Sequence, residues 1–353
     1  MDKKRNWIKI VNIGVMVLAF VLVIYFAFRE SSLEDLAHSF RTLNMWWIVV
    51  ACLFMLTNWM IDGWLIYKFT KTSCPHYKFR NGFRTAMTGQ YFNSVTPFAS
   101  GGQPMQIFCM TRQGVDAGVA GATLMQKFIV WQSTMTAASL IFIVFRYKFF
   151  LTEVSGFMVV ALAGFLVQGV VIAMLLLFSL NPKITHLILR GFVWLVNKLH
   201  LFKKHQNMVD EIEHQLSFFH DNIKVMFRQK GLMAKTFAMT ALQLFSTLVL
   251  PYCIYKAFNL SGDTLFNMLA ANSFLSMIVS FVPLPGAAGA SEGGFLMLFG
   301  IFFPSNIRMP AVLLWRIISF YSSIIIGAPF ARFSQKKSGG DDSGKRSDEI
   351  EAA

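Results

Sequence analysis

Charged residues are scarce in this sequence. Only 14% of its 353 residues are Asp, Glu, Lys or Arg, whereas 55% are hydrophobic; a typical soluble domain has about 25% charged residues. A soluble chain of this length would need far more polar side chains to cover its surface. The scarcity excludes an ordinary soluble enzyme and indicates an all-α polytopic membrane protein.

Cysteine clusters and catalytic signatures are also lacking. Cys52, Cys74, Cys109 and Cys253 are widely separated and form no Cys-x-x-Cys or Cys/His group. This spacing predicts neither a metal site nor a disulfide framework, and no cofactor is expected. No HExxH motif occurs, and no arrangement of a nucleophile with a base is recognised, so the sequence gives no catalytic residue.

Basic residues are present, but they lie in short segments between apolar stretches. The formal net charge is +14, and Lys and Arg concentrate at the N-terminus, after the second apolar run, within 181–231 and in the tail. This is the positive-inside pattern of a membrane protein. It predicts cytoplasmic N- and C-termini in a bacterial inner (cytoplasmic) membrane, and no direct binding of nucleic acid.

Long apolar runs set the expected architecture of a single integral membrane domain over 1–333. About eight transmembrane helices are predicted, at roughly 20 apolar residues each. Two Gly/Pro-broken segments are also predicted, and the exact number of crossings stays open because each segment could be a re-entrant hairpin or a full crossing. The uninterrupted runs are approximately 8–28, 46–67, 117–145, 154–180, 232–258, 265–282 and 311–333.

The polar connection at 181–231 carries a helical pattern of its own. Hydrophobic residues recur at helical spacing from 208 to 226, with acidic residues early and basic residues late. This pattern predicts an amphipathic cytoplasmic helix on the membrane surface, with its charges matched to the helix dipole. The Gly/Ser/charge-rich tail, 334–353, is predicted to be disordered.

The two broken segments, 89–104 and 283–294, are the first indication of a functional site. Irregular backbone at membrane depth must be buried in protein or line a wet cavity, and such breaks in both halves of a chain point to a transport site. Each would restart a helix whose N–H groups attract an anionic headgroup, with Ser291 as a candidate cap; glycine-packed kinks are the structural alternative. The candidate substrate-binding residues here are Asn93, Pro97, Gly101, Gly102, Gln103, Pro285, Gly286, Gly289, Ser291 and Glu292.

Ionisable residues within the apolar runs are the second indication. Glu292 follows the second break, Arg316 lies in the last run and Lys127 in the 117–145 run, while Asp62 is nearer to an interface. A charge at the bilayer centre costs about 2.5–3.5 kcal/mol on insertion scales, so it needs a partner or a wet cavity. We expect Glu292 to pair with Arg316, as a structural ion pair, as part of a cavity wall, or as both, and Lys127 is a candidate ligand of a lipid phosphate.

These residues carry a family resemblance over about 8–333. They are similar to the transmembrane region of the lysylphosphatidylglycerol synthases, also called the flippase-like domain family. The resemblance implies a translocator of phosphatidylglycerol-type or aminoacylated phospholipids such as lysylphosphatidylglycerol, linked to envelope charge and cationic peptide resistance. The matching positions are Gly89, Asn93, Pro97 and Gly101-Gly102, then Pro283-x-Pro285-Gly286-x-x-Gly289-x-x-Glu292, then Trp315-Arg316.

Departures from the family pattern leave other functions open. Many relatives carry Gly-Gly-Glu-x-x-Arg where this chain has Gly102-Gln103-Pro104-Met105-Gln106, and some carry an acidic and a basic residue where Gln126 and Lys127 stand. The residues after Phe333 are too few for the soluble aminoacyltransferase domain of the bifunctional synthases. The alternatives are a phosphatidylglycerol lysyltransferase, alone or with a soluble aminoacyltransferase partner, and a structural scaffold for envelope synthesis. A homo-oligomer is also open.

Overall fold

The structure is a computed structural model that describes residues 40–153, 157–185, 187, 206–280, 282 and 284–336. All regular elements within these ranges are helical. The apolar run at 8–28 and the tail beyond 336 lie outside the described residues. The start of the tail, 334–336, belongs to the last helix instead of a disordered segment.

The helices follow the apolar runs closely. The two broken segments each contain a 3-10 turn, at Pro97–Ala99 and at Pro285–Ala287, and a π-helical turn at Ile317–Tyr321 joins the last two helices. The helices are α1 Met45–Lys71, α2 Phe79–Val95, α3 Gly102–Thr111, α4 Ala117–Glu153, α5 Phe157–Leu180, α6 Gln206–Arg228, α7 Lys230–Leu248, α8 Leu250–Ala257, α9 Leu265–Val279, α10 Ala290–Phe299, α11 Ser305–Arg316 and α12 Ser322–Lys336.

Within the described residues, five stretches are long and apolar enough to cross a membrane. α9 is shorter, with 15 residues; at 1.5 Å per residue it rises roughly 23 Å, less than the ~30 Å hydrocarbon core. The expected run at 265–282 therefore ends early, because the helix stops before the second break. The five spans are Met45–Lys71, Ala117–Lys148, Leu162–Leu180, Lys230–Ala257 and Ser305–Ala331.

The amphipathic helix predicted within the polar connection is α6, and it defines one end of the bundle. The Gln215 side chain accepts a hydrogen bond from the backbone N–H of Gly118, at the start of α4 (2.8 Å). Asn222 is hydrogen-bonded to Ser73, just beyond the end of α1. We call this the first end of the bundle.

The second end of the bundle is fixed by contacts among the opposite helix termini. The backbone N–H of Asn44, which precedes α1, donates to the carbonyl of Ala257 at the end of α8 (2.8 Å). The guanidinium of Arg146, near the far end of α4, lies 5.4 Å from the ring centre of Phe266 at the start of α9. Three long elements therefore run between the two ends: α1, α4, and α7 together with α8, which follows it directly.

Two helical hairpins each begin and finish at a single end. Tyr77, just before α2, donates its hydroxyl to Gln113, just after α3 (2.7 Å); burial raises the pKa of this phenol, which keeps it neutral. At the second end, Tyr255 of α8 packs edge-on against Phe303, which follows α10 (5.5 Å between ring centres). The α2–α3 hairpin thus belongs to the first end, and the α9–α10 hairpin to the second.

We predict that the crossing of α1 and α2 depends on two glycines. A Cβ added to Gly82 would lie 2.6 Å from the Gly63 carbonyl oxygen, so Gly82→Ala should lower the melting temperature through overpacking, which costs about 1–3 kcal/mol. Thermal unfolding of the purified protein in detergent measures this. Gly169→Ala is the control, because no atom lies within 4 Å of that position; equal melting temperatures for the two variants would contradict the prediction.

Candidate functional site

The first break is a sharp turn between α2 and α3. Thr96 holds it: its hydroxyl donates to the Phe92 carbonyl (2.7 Å) and accepts from the Gly101 N–H (2.9 Å). Phe98 and Ala99 both have positive φ, 55° and 51°, a conformation that disfavours residues with a Cβ. The chain reverses direction within a few residues, and Pro97 to Ser100 are exposed.

Asn93 and the paired glycines bring α3 close to α2 beyond this turn. Gly101 precedes α3 and Gly102 is its first residue. A Cβ on Gly102 would overlap the Asn93 side chain, and one on Gly89 would overlap the amide of Gln106. Gln103 is exposed. The candidates of the first segment therefore lie together around the beginning of α3.

The second break has the same form but is held by charged side chains. The Glu292 carboxylate accepts the Gly289 N–H on Oε2 (2.7 Å) and Arg316 Nε on Oε1 (2.6 Å). Arg316 Nη2 donates to the carbonyl of Gly286 (3.0 Å). The side chains of Arg316 and Glu292 are only 6% and 12% exposed. The expected Glu292–Arg316 pair is present, and it satisfies backbone groups that the break leaves without helical partners.

The expectation that Ser291 caps α10 is wrong. The helix begins after Gly289, and Ser291 lies in its first turn, where the hydroxyl donates to the Gly286 carbonyl (3.4 Å). Glu292 reaches the cap position instead, because a residue three positions into a helix can fold its carboxylate back onto the capping N–H. A carboxylate here is also favoured by the helix dipole.

Two features favour glycine at position 286. Its φ is 58°, and there is no room for a side chain. A Cβ at this position would overlap the ring of Phe320 in the π-helical turn. The same ring lies 4.9 Å from the guanidinium carbon of Arg316, and the Trp315 ring lies 5.6 Å from it. Pro285 is buried beside them. Arg316 is thus held by a carboxylate, a carbonyl and two aromatic rings.

The two breaks are structural repeats. Phe98 has φ 55° and ψ 18°, and Gly286 has φ 58° and ψ 18°. Both turns lead into a ten-residue helix, α3 or α10, and the next helix starts after five more residues. Pro285 lies 188 positions after Pro97, and the first residues of α10 and α11 lie the same 188 after those of α3 and α4.

The two turns also meet in space. The 3-10 turn of the first break contacts that of the second, and α2 contacts the second turn as well. Exposed positions lie on both sides of this meeting, with the polar Ser100 and Gln103 from the first break and Gly289 and Gly293 from the second. The breaks and the Glu292–Arg316 pair therefore form one site, which we call the break site.

Lys127 lies in a second ion pair that the sequence analysis did not anticipate. Its Nζ is 2.6 Å from Oδ1 of Asp62, whose other oxygen accepts a hydrogen bond from Gln90 Nε2 (3.3 Å). Asp62 is buried within α1, at 4% exposed. The sequence signal for this pair was an acidic residue and a basic residue in neighbouring apolar runs, neither of which had an expected ion-pair partner. No group of three His, Cys, Asp or Glu side chains suited to a metal occurs in the described part of the chain.

The fold and site define a class: a multi-pass helical membrane protein with paired broken helices and buried ion pairs. More specifically, the chain belongs to the family of the lysylphosphatidylglycerol synthase transmembrane region, whose model matches residues 10–327. A UPF0104 membrane protein of Archaeoglobus fulgidus is 24% identical over 341 residues, covering 92% of this chain and 97% of the relative. An uncharacterized protein of Mycoplasma pneumoniae is 21% identical over 348 residues, covering 88% of this chain and 83% of the relative.

We predict that breaking the Glu292–Arg316 pair from one side destabilises the fold. Arg316→Met leaves a buried carboxylate without its partner, and such losses cost about 3–5 kcal/mol. The double variant Glu292→Gln/Arg316→Met should recover part of that loss, because no unpaired charge remains. Unfolding of the purified protein in detergent measures both free energies.

The control for this cycle is the exposed pair on α6. Asp221 and Lys224 are 72% and 54% exposed with 4.0 Å between their charged atoms, so Lys224→Met should change the unfolding free energy by no more than about 1 kcal/mol. Equal effects of Lys224→Met and Arg316→Met would show that the Glu292–Arg316 pair does not support the break.

Proposed function

We propose that this protein translocates phospholipids between membrane leaflets. The observation that carries the proposal is the break site, where two broken hairpins meet beside a buried ion pair. Irregular backbone at membrane depth is tolerated where it is buried or lines a wet cavity, and sites of this construction are typical of transporters. The site would shield a polar headgroup while the acyl chains stay in the surrounding lipid.

The contacts at the helix ends support re-entrant hairpins of opposite orientation. α2–α3 begins and finishes at the first end, and α9–α10 at the second. Each hairpin would enter the membrane, turn at its break and return to the same side. With the run at 8–28, this proposal gives six crossings and two re-entrant hairpins, which refines the expectation of about eight transmembrane helices.

Charge supports the orientation of this arrangement. The first end carries the basic segment after α1, with Lys71, Lys78 and Arg80, and it also carries α6. By the positive-inside rule the first end is cytoplasmic. An even number of crossings then leaves both termini in the cytoplasm, as expected for a protein of the bacterial inner membrane.

The two helix starts at the break site would have different roles in headgroup binding. No side chain caps α3, so its first N–H groups can face a phosphate. The start of α10 already holds the Glu292 carboxylate. A cationic aminoacyl group, as in lysylphosphatidylglycerol, would compete with Arg316 for Glu292, whereas a phosphate released from α3 would be attracted to Arg316. The preferred substrates are therefore phosphatidylglycerol-type and aminoacylated phospholipids.

The lysyltransferase alternative requires a soluble aminoacyltransferase domain, supplied by a partner or by another part of the protein. The Archaeoglobus relative has almost no sequence outside the region that matches this chain. In that relative, the membrane region therefore occurs without a large added domain. This supports a function in the membrane region itself. Cell-envelope charge and resistance to cationic peptides would follow from moving aminoacylated lipid outward.

Leaflet-resolved movement of labelled phosphatidylglycerol and lysylphosphatidylglycerol in proteoliposomes tests the proposal. We predict that the protein accelerates exchange and that Glu292→Gln and Arg316→Ala each slow it at least about tenfold, since a hydrogen bond to a charged group is worth roughly 1.5–3 kcal/mol. Glu213→Gln and Arg84→Ala are matched controls, because both residues are exposed.

Each result has a defined consequence for the proposal. Full exchange by a correctly inserted Glu292→Gln protein would remove this carboxylate from the mechanism. No exchange of either lipid by the wild-type protein would contradict translocation of these lipids. The next measurement would then be lysyl-tRNA-dependent modification of phosphatidylglycerol, which a transferase or transferase subunit would support.

A further inference from the structure

A second polar cluster lies where α1, α4 and α7 meet, apart from the Glu292–Arg316 pair. Three side-chain contacts connect these helices: Asp62 with Lys127 (2.6 Å), Asn58 with Gln243 (3.0 Å) and Gln126 with the sulfur of Met233 (3.2 Å). We call this cluster the polar junction. It consists of Asn58, Asp62, Thr123, Gln126, Lys127, Thr240 and Gln243, with Gln90 of α2 at its edge.

The spacing along each helix places these residues within about two helical turns of one another along the bundle. Asn58 and Asp62 are four residues apart on α1, and Thr123 and Lys127 are four apart on α4, so each pair shares a helix face. Thr240 lies one turn before Gln243 on α7. Because α1 and α7 run in opposite directions between the ends, Thr240 lies near the level of Asp62.

The polar junction contains buried polar atoms with no partner among the described residues. They are Thr123 Oγ1, Gln126 Oε1 and Thr240 Oγ1. Trp59 Nε1, one turn from Asp62 on α1, is also buried without a hydrogen-bond partner. All three polar side chains are 0% exposed. Buried groups of this kind are normally satisfied by internal water, which needs two to four polar partners. The junction is therefore suited to holding water inside the helical bundle.

The Asp62–Lys127 pair can change state more easily than the Glu292–Arg316 pair. Glu292 and Arg316 bind backbone groups of the break, so releasing them exposes those groups. Asp62 and Lys127 are held by side chains alone, and each has unused hydrogen-bonding capacity. A proton on Asp62 would end the ion pair without disturbing any helix terminus.

Lys127 is the ionisable side chain that contacts Asp62 in the described residues. The other ionisable groups on the elements packed against α1 are Arg80, Arg84 and Tyr91 of α2, Arg146, Tyr147 and Lys148 of α4, Lys230 and Lys235 of α7, Cys253, Tyr252, Tyr255 and Lys256 of α8, and Arg316 and Tyr321 beside the π-helical turn.

We propose that the polar junction binds and releases a proton, and that this couples lipid movement to a transmembrane proton gradient. A proton arriving from one side through internal water adds to a carboxylate oxygen of Asp62. The neutral carboxyl releases Lys127, whose ammonium becomes available to a lipid phosphate. When the proton leaves toward the other side, the ion pair forms again. One proton enters and one leaves in each cycle, and no other bond changes.

This inference rests on the proposed lipid translocation, and a proton-gradient experiment separates the two. Proteoliposomes with a pH indicator inside receive labelled lysylphosphatidylglycerol and an imposed pH difference at equal sodium on both sides. For wild-type protein we predict proton flux that depends on the lipid, and a leaflet ratio at steady state that shifts up to about tenfold per pH unit for one proton per lipid. Asp62→Asn should exchange the lipid without either effect.

The control variants exclude simple misfolding. Asp62→Asn leaves Lys127 unpaired, so Asp62→Asn/Lys127→Gln is measured beside it, and Asp62→Glu should retain coupling because it keeps a carboxylate. Asp221→Asn is the matched control, since Asp221 is exposed on α6, and it should behave as wild type.

Contrary outcomes are distinguishable. Wild-type exchange with the same rate and the same leaflet ratio with and without the pH difference would overturn proton coupling while leaving translocation intact. Dependence on a sodium gradient instead would overturn it as well. Absence of lipid exchange under every condition would overturn the proposed function, and this inference with it.

Discussion

The structure depends on satisfying the backbone at its two breaks, which interrupt largely apolar helices. An N–H or carbonyl group without a partner costs several kcal/mol in hydrocarbon, and water is unavailable there unless the protein admits it. At the first break, the hydroxyl of Thr96 meets this requirement. At the second, Glu292 and Arg316 meet it with a carboxylate and a guanidinium. The positions of α3, α10 and the π-helical turn all follow from these contacts.

The same requirement separates the two ion pairs by role. Glu292 and Arg316 support backbone and are nearly inaccessible, so they resist change. Asp62 and Lys127 are held by side chains alone, in a cluster where several buried polar atoms have no partner among the described residues. The proposed lipid transport would need both properties, a fixed frame around the substrate and a site whose charge can alter. The chain places them on different helices, with α1 in contact with α4 and with the π-helical turn.

Much of the fold could be predicted from the sequence because apolar length and Gly/Pro punctuation are local properties. The runs at 46–67 and 117–145, the helix within 181–231 and both breaks correspond to observed elements. The Glu292–Arg316 pair was also predictable, since each charge needed a partner. The short length of α9 was not, because the apolar stretch at 265–282 gives no sign of where hydrogen bonding stops.

The pairing of Lys127 with Asp62 could not be predicted. The two residues are 65 positions apart in the sequence, and their contact depends on how α1 and α4 are rotated against each other. The repeat was visible in principle. Pro97 and Pro285 each begin a Pro-x-Ala-x-Gly pattern, but three matching residues in five carry weight only when the backbone angles agree as well. The role of Glu292 as a cap was hidden for a similar reason, because Ser291 is the commoner residue type at a helix start.

The two turns of the repeat share one backbone conformation but differ in the residue that adopts it. The second has Gly286 where the first has Phe98. A left-handed conformation costs a residue with a Cβ about 1–2 kcal/mol, and the Phe98 ring recovers little of this by burial, since it is 62% exposed. Most of this conformational cost therefore remains in the folded state. Position 98 is therefore a place where the most durable version of the protein and the most active one need not have the same side chain.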